Sequence, residues 1–201
     1  MSVPAAAAPV VAVVLAGGQG RRMGGVDKAM VGLAGRPLIA HVVARLAPQV
    51  AAMAISANGD PARFAGFGVP VLADAADGPA GPLAGLLAGA RWALSAHPRA
   101  WLLSAPCDVP FLPADLVARL AAARLPACAC AGGRLHPLVA LWPARELAAA
   151  AGEGGSARAL LARLGGTSVA WEAPAEGAAD PFANVNDPAA LAAACRSIAA
   201  G

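Results

Sequence analysis

Val10-Val11-Ala12-Val13-Val14-Leu15-Ala16-Gly17-Gly18-Gln19-Gly20-Arg21-Arg22-Met23-Gly24-Gly25-Val26-Asp27-Lys28 is the stretch that decides the fold. Its first six residues are continuously apolar and are stopped by glycines, which predicts a short strand buried on both faces. Glycines after such a strand let the backbone come close to a ligand and turn its N–H groups toward phosphate oxygens. Arg22 and Lys28 add positive charge where a triphosphate would lie. The third glycine of a dinucleotide-binding fingerprint is missing, because Gly18-Gln19-Gly20 runs into Arg21, Arg22 and Met23; no Gly-Lys-Ser or Gly-Lys-Thr of a P-loop occurs either. A flexible glycine turn with solvated charges is the plain structural alternative.

Outward from this stretch, strand and helix signals alternate. Residues 37–46 read as a helix with Pro37 in its first turn, 51–57 and 69–72 as strands, and 82–95 as a helix whose leucines suit packing on a sheet. Residues 101–105 form another short apolar strand, and 113–125 read as a helix with the apolar pair Leu116 and Leu120. Residues 138–142 look like a strand, Ser156 a cap for a helix to Leu164, and 172–180 a loop. Asp187 suits the N-cap of a closing helix at 188–199. The alternation predicts an α/β fold: a Rossmann-like, mostly parallel sheet with helices on both faces. The 201 residues fit a single domain spanning 1–201, with 1–9 as a loose tail.

Composition narrows the function. The 15 basic residues are fourteen arginines and one lysine, Lys28, while asparagine occurs only at 58, 184 and 186. Such rare residues resist an evident bias toward Ala, Gly, Pro and Arg. The hydrophobic share of 58% and mean hydropathy of +0.60 owe much to alanine. Within residues 1–20, Pro4 and Pro9 interrupt the apolar run, and no basic segment precedes it, so neither a membrane span nor a secretory signal is expected. The reading is a cytoplasmic protein. The cysteines, 107, 128, 130 and 195, lack the spacing of a zinc or redox motif. Cys128 and Cys130 would share one face of a strand, as small packed residues. A net charge of +3 and 4% aromatics supply no basic stripe or stacking platform, so nucleic acid is not expected as a partner.

Two further motifs follow strand ends, where open parallel sheets bind ligands. Asp108, in Cys107-Asp108-Val109-Pro110, could hold Mg²⁺, which prefers oxygen ligands and often uses only one or two carboxylates with phosphate and water. An ordinary turn or N-cap aspartate is the equal alternative. The segment Gly78-Pro79-Ala80-Gly81-Pro82-Leu83-Ala84-Gly85 could present backbone groups to a flat base, or simply open a helix.

In combination, Leu15-Ala16-Gly17-Gly18, Arg22-Met23-Gly24, Asp27-Lys28, Gly81-Pro82-Leu83-Ala84-Gly85, Asp108-Val109-Pro110 and Asn184-Val185-Asn186 resemble the molybdenum cofactor guanylyltransferases. The resemblance covers about residues 10–188 in order. It implies that Leu15, Ala16 and Gly17 line a GTP site, that Lys28 contacts the phosphates, that Asp74 lies by the guanosine, and that Asp108 contacts both GTP and Mg²⁺. Ser56 stands where the family commonly has Asn, and a shorter hydroxyl leaves its role in nucleotide binding open. His136, before Pro137, together with Asn184 and Asn186, falls on the molybdopterin side. A lone histidine is more often a packed residue than a ligand. Asp187 replaces a common Thr, and both cap helices.

The reaction so implied transfers GMP from GTP to molybdenum-molybdopterin, releases pyrophosphate and forms molybdopterin guanine dinucleotide, with Arg22, Lys28 and Asp108 as the catalytic residues. Product hand-over to molybdoenzyme chaperones or other cofactor-biosynthesis proteins is a further expectation. A related transferase using CTP or a sugar phosphate, and a non-catalytic nucleotide-binding module, remain the alternatives.

Overall fold

A computed structural model describes residues 8–17, 19–20, 26–74, 79, 81–151, 155–172 and 180–199. Arg22, most of the tail at 1–9, Gly78, Ala80 and most of the 172–180 loop lie outside the described residues. Seven strands form one sheet: β1 (Val10–Leu15), β2 (Ala52–Ser56), β3 (Val71–Leu72), β4 (Trp101–Pro106), β5 (Ala127–Ala131), β6 (Arg134–Pro143) and β7 (Thr167–Trp171). Their spatial order is β7-β5-β6-β4-β1-β2-β3. All neighbours pair in parallel except β6, which runs antiparallel to both β4 and β5. The helices are α1 (Leu38–Leu46), α2 (Pro82–Ala96), α3 (Leu116–Ala121), α4 (Ala144–Ala151), α5 (Ala157–Arg163) and α6 (Pro188–Ala199).

β1 is buried from both sides, as its unbroken apolar run predicts. Ala12 and Val14 share one buried cluster with Ile39, Val42 and Leu46 of α1 and with Leu116 and Leu120 of α3. Val11 and Val13 point the other way, toward Leu86, Leu87 and Ala90 of α2 and the apolar faces of α4 and α5. Full burial of each large aliphatic side chain contributes ~1.5–3 kcal/mol, so the central strands are held by both helical layers. Between the two layers the sheet changes direction of winding: the chain steps from β1 to β2 to β3, then returns across β1 to β4. The ends of β1 and β4 therefore flank a switch point, where an open sheet leaves a crevice. α6 closes the chain, packing Leu191, Ala194 and Ile198 on Leu33, Leu38 and Val185.

Several local expectations are met in detail. Ser156 Oγ accepts from Ala159 N at 3.1 Å and Asp187 Oδ1 from Ala190 N at 2.8 Å, each closing an N-cap. Cys128 and Cys130 lie on β5, the first buried and the second half-buried. Others are corrected. The helix expected at 113–125 is only α3, because the distant Gln49 side chain sets its start: Nε2 donates to Pro113 O at 3.0 Å, and Oε1 accepts from Val117 N at 3.0 Å. Beyond it, Pro126 disfavours helical backbone at Leu125. The strand expected at 138–142 begins at Arg134, since β6 bulges between His136 and Ala140 and absorbs Pro137 there. β7 and α4 carried no assignment in the sequence, being short and rich in alanine or weakly patterned. No helix among the described residues is long and apolar enough to cross a membrane.

Candidate active site

Four strand ends build one wall of a cavity of about 380 Å³. Ala16 N donates to Ser56 O at 2.8 Å, Cys107 N to Leu15 O at 3.0 Å, and Ala57 N to Leu72 O at 2.9 Å, so the chain leaves β1, β2, β3 and β4 in one rank. Adjacent strands lie ~4.8 Å apart, and from β3 to β4 is three spacings, roughly 14 Å, the reach of an extended nucleoside triphosphate. Leu15, Gly17, Ser56, Asp74, Pro106, Cys107 and Asp108 line it from the sheet, and Gly81, Pro82 and Gly85 line it from the start of α2.

At the β4 end the charged groups converge. Asp27 Oδ1 accepts from Ala29 N at 3.1 Å, capping the single 3-10 turn Lys28–Met30 that carries the lysine. Lys28 Nζ donates to both Asp108 Oδ2 and Asn186 Oδ1. Asp108 Oδ1 accepts from Asn184 Nδ2 at 3.0 Å, and its backbone oxygen from Val185 N at 2.9 Å. Lys28 and Asp108 are mostly buried, with side-chain exposures of 13% and 9%. Residues from three distant parts of the chain thus form one network, with a single carboxylate at its centre. Beside it, Cys107 also lines the cavity, but burial, with the Asp108 charge assisting, pushes its thiol up to about 12. It stays protonated and supplies no thiolate nucleophile.

At the β3 end, Asn58 and Asp74 bind each other reciprocally: Asn58 Nδ2 donates to Asp74 Oδ2 at 2.7 Å, and Asp74 N donates to Asn58 Oδ1 at 3.0 Å. Asn58 is marked in the sequence by its rarity and by its place two residues after Ser56, and no site role follows from either. Between the ends lies Ser56, buried at 3% exposure. A Cβ on Gly85 would sit 2.6 Å from Ser56 Oγ and 2.8 Å from Leu15 Cδ2, and one on Gly89 would sit 2.8 Å from Val13 Cγ1. Bare glycines are what let α2 approach the sheet and form the cavity floor. Gly85→Ala is expected to cost about 1–3 kcal/mol of stability by overpacking, measured by denaturant titration, and to weaken nucleotide binding as the floor shifts. Adding Ser56→Ala removes the closest contact and should recover part of the loss.

The structure therefore brings Leu15, Gly17, Lys28, Ser56, Asp74, Asp108 and Asn184 to one cavity, with Asn186 bonded to the lysine. Ala16 is buried just behind the wall. His136 stands apart from the lining: its ring lies 5.1 Å from that of Phe182, which in turn meets Trp171 edge-on at 5.1 Å. Burial holds its pKa below the usual histidine value, against the opposing pull of Asp180, and its buried Nε2 has no partner. Two residues on, Leu138 does reach the cavity, because Ser104 Oγ donates to Leu138 O at 2.9 Å and supports the bulge. No pattern in the sequence marks Ser104 or that bulge.

Comparison with known proteins agrees with this geometry. The chain is 59% identical over 140 residues to the molybdenum cofactor guanylyltransferase of Rhodopseudomonas palustris (strain BisB5), covering 67% of each chain. It is 53% identical over 186 residues to the enzyme of the same name from Cereibacter sphaeroides, covering 89% of this chain and 92% of the relative. Among solved structures, molybdopterin-guanine dinucleotide biosynthesis protein A from Archaeoglobus fulgidus superposes with a TM-score of 0.69 at 24% identity, over 96% of this chain and 100% of that one, a likeness of fold. The family model described as a MobA-like NTP transferase domain matches residues 12–169, which include the glycine-rich loop, Lys28, Asp74 and Asp108, and the chain belongs to that family.

Proposed function

We propose that this nucleotidyltransferase is a molybdenum cofactor guanylyltransferase: it transfers GMP from GTP to molybdenum-molybdopterin, releasing pyrophosphate and forming molybdopterin guanine dinucleotide. The observation that carries the reading is the convergence of Lys28, Asp108, Asn184 and Asn186 at the end of β4, three strands from the Asn58–Asp74 pair. In this reading the guanosine lies by Asp74 and the phosphates by Lys28. An oxygen of the molybdopterin phosphate attacks the α-phosphorus in line, and the bond from that phosphorus to the bridging α–β oxygen breaks, its electron pair leaving with pyrophosphate. A phosphate monoester is already anionic near neutral pH, so no general base is needed. This agrees with a cavity whose only thiol is held protonated.

Such transfers ask the protein for position and for charge. Lys28 has a flexible four-carbon stem, so its ammonium can turn from Asp108 to the phosphate oxygens and neutralise charge on the departing pyrophosphate. Arg22, on the same loop motif, adds to that charge. The donor set beside Lys28 suits a divalent metal, Mg²⁺ in our reading: a carboxylate and an amide oxygen already hold a cation there. No group of three or more His, Cys, Asp and Glu gathers among the described residues, which fits an ion that keeps water and phosphate as its other ligands. Asp108 would hold it, and when bound the ion supplies electrostatic neutralisation of the phosphates. Asn184 and Asn186 orient Asp108 and Lys28 and in this reading face the acceptor phosphate, and His136 is assigned to the molybdopterin side. A cytoplasmic location belongs to this reading and is supported by the four free cysteines. So does delivery of the product to molybdoenzyme chaperones or other cofactor-biosynthesis proteins.

The test is pyrophosphate release from GTP with Mg²⁺, with and without molybdenum-molybdopterin, in competition with CTP. Release that needs the pterin and that CTP does not inhibit is the expected result. Turnover with CTP or a sugar phosphate would assign the chain to a different transfer.

A further inference from the structure

Arg63 lies outside the cavity lining, yet it touches both ends of the site. It is carried on the 3-10 helix Pro61–Phe67, which Asp60 caps by accepting from Ala62 N at 2.9 Å and which the fully buried Phe64 pins into the core. Its guanidinium stacks over the Phe64 ring at 4.5 Å. From that fixed seat Nη2 donates to Asn58 O at 2.7 Å and Nη1 to Asp60 O at 2.8 Å. On the other side, Nε lies 2.7 Å from Asp27 Oδ2. The Nε–H does not aim at that oxygen, so this contact is an ion pair without an aligned hydrogen bond.

Two of these contacts, to Asn58 and to Asp27, lead to named parts of the site. Asn58 is the residue whose side chain clasps Asp74 at the β3 end. Asp27 caps the turn that bears Lys28, and its backbone pairs with Gln19 across the base of the glycine-rich loop. A planar fork with five donors can hold two carbonyls and a carboxylate at fixed relative positions, whereas an ammonium cannot. Asp27 and Arg63 are 30% and 27% exposed, enough for solvent to weaken a lone ion pair, but here the guanidinium is also held by two carbonyls and a ring.

We propose that Arg63 is a positioning residue, a strut that sets the separation between the base end and the phosphate end of the nucleotide site. This rests on the nucleotidyltransferase reading above. A strut of this kind has a distinctive signature. Ligands that use only one end bind without it, whereas a ligand that spans both ends loses the advantage of a preorganised pair of subsites.

Binding of guanosine, of pyrophosphate and of GTP, each with Mg²⁺, is measured for the wild-type chain and for Arg63→Met, which keeps an apolar stem on Phe64. GTP affinity is expected to fall about tenfold, corresponding to ~1.4 kcal/mol, while guanosine and pyrophosphate stay within about twofold of wild type. Arg63→Lys should not restore GTP binding. Asp27→Asn serves as a second variant, because Asn still caps the Lys28 turn while the ion pair is lost; the same selective loss, smaller in size, is expected. Unaltered GTP affinity in Arg63→Met overturns the proposal, and so does an equal loss for all three ligands, which marks a general structural defect. If Arg63→Met does not fold, Asp27→Asn alone decides by the same criterion. Failure of the wild-type chain to bind GTP at all overturns the parent reading, and the strut with it.

Discussion

Lys28→Ala leaves a folded protein whose turnover falls by ~10²–10³-fold, the usual cost of removing one preorganised charge from a developing anion. The lysine is the only one in the chain and sits between Asp108 and Asn186 at 13% side-chain exposure. Its removal strips Asp108 Oδ2 of its partner, but Oδ1 keeps the Asn184 amide and the carboxylate stands on a cavity wall that water reaches. The fold therefore survives, as circular dichroism should show. Lys28→Arg is impaired as well, although the charge is kept. A rigid planar fork cannot occupy the site of a compact ammonium held by two oxygens and then swing onto phosphate. Wild-type turnover in Lys28→Arg would remove this argument.

Asp108→Asn is the second large effect. The amide has the shape of the carboxylate, so Asn184, Val185 and the chain around them keep their places. What disappears is the one carboxylate of the network and, with it, the anion that fits a hard divalent cation. Pyrophosphate release should drop by about 10³-fold at physiological magnesium, on the scale of losing a principal electrostatic group, and should need far more metal to rise. The measurement is turnover against magnesium concentration. An unchanged titration would refute the role of Asp108. Since Lys28 and Asp108 are in contact, the double variant should lose much less than the product of the two single losses.

Much of this was legible in the chain. The unbroken apolar run 10–15 required a strand buried on both faces, and β1 is that strand. Ser156 and Asp187 were readable as caps because a cap is decided within four residues. Lys28 and Asp108 stood out beside recognisable loops after strand ends. Where reading failed, the cause was remote. α3 starts where Gln49 caps it, some seventy positions away in sequence, and β6 continues through Pro137 because Ser104, on a neighbouring strand, supports the bulge. α4 and β7 are short, and alanine, though a good helix former, is spread along the whole chain and so marks no apolar periodicity that would declare them.

The sequence by itself determined the alternation of strands and helices, the caps, and the residue types able to meet a nucleotide, because periodicity, turn chemistry and charge act over a few neighbouring residues. Only the tertiary structure decided that Lys28 meets Asp108 and Asn186, that Asn58 clasps Asp74, and that Arg63 ties those two ends together. These contacts span from five residues to more than a hundred and fifty. They depend on the order in which parallel strands are laid across the sheet, which no local signal encodes, and on backbone approaches such as that of Gly85 to Ser56, which exist only once both elements are packed.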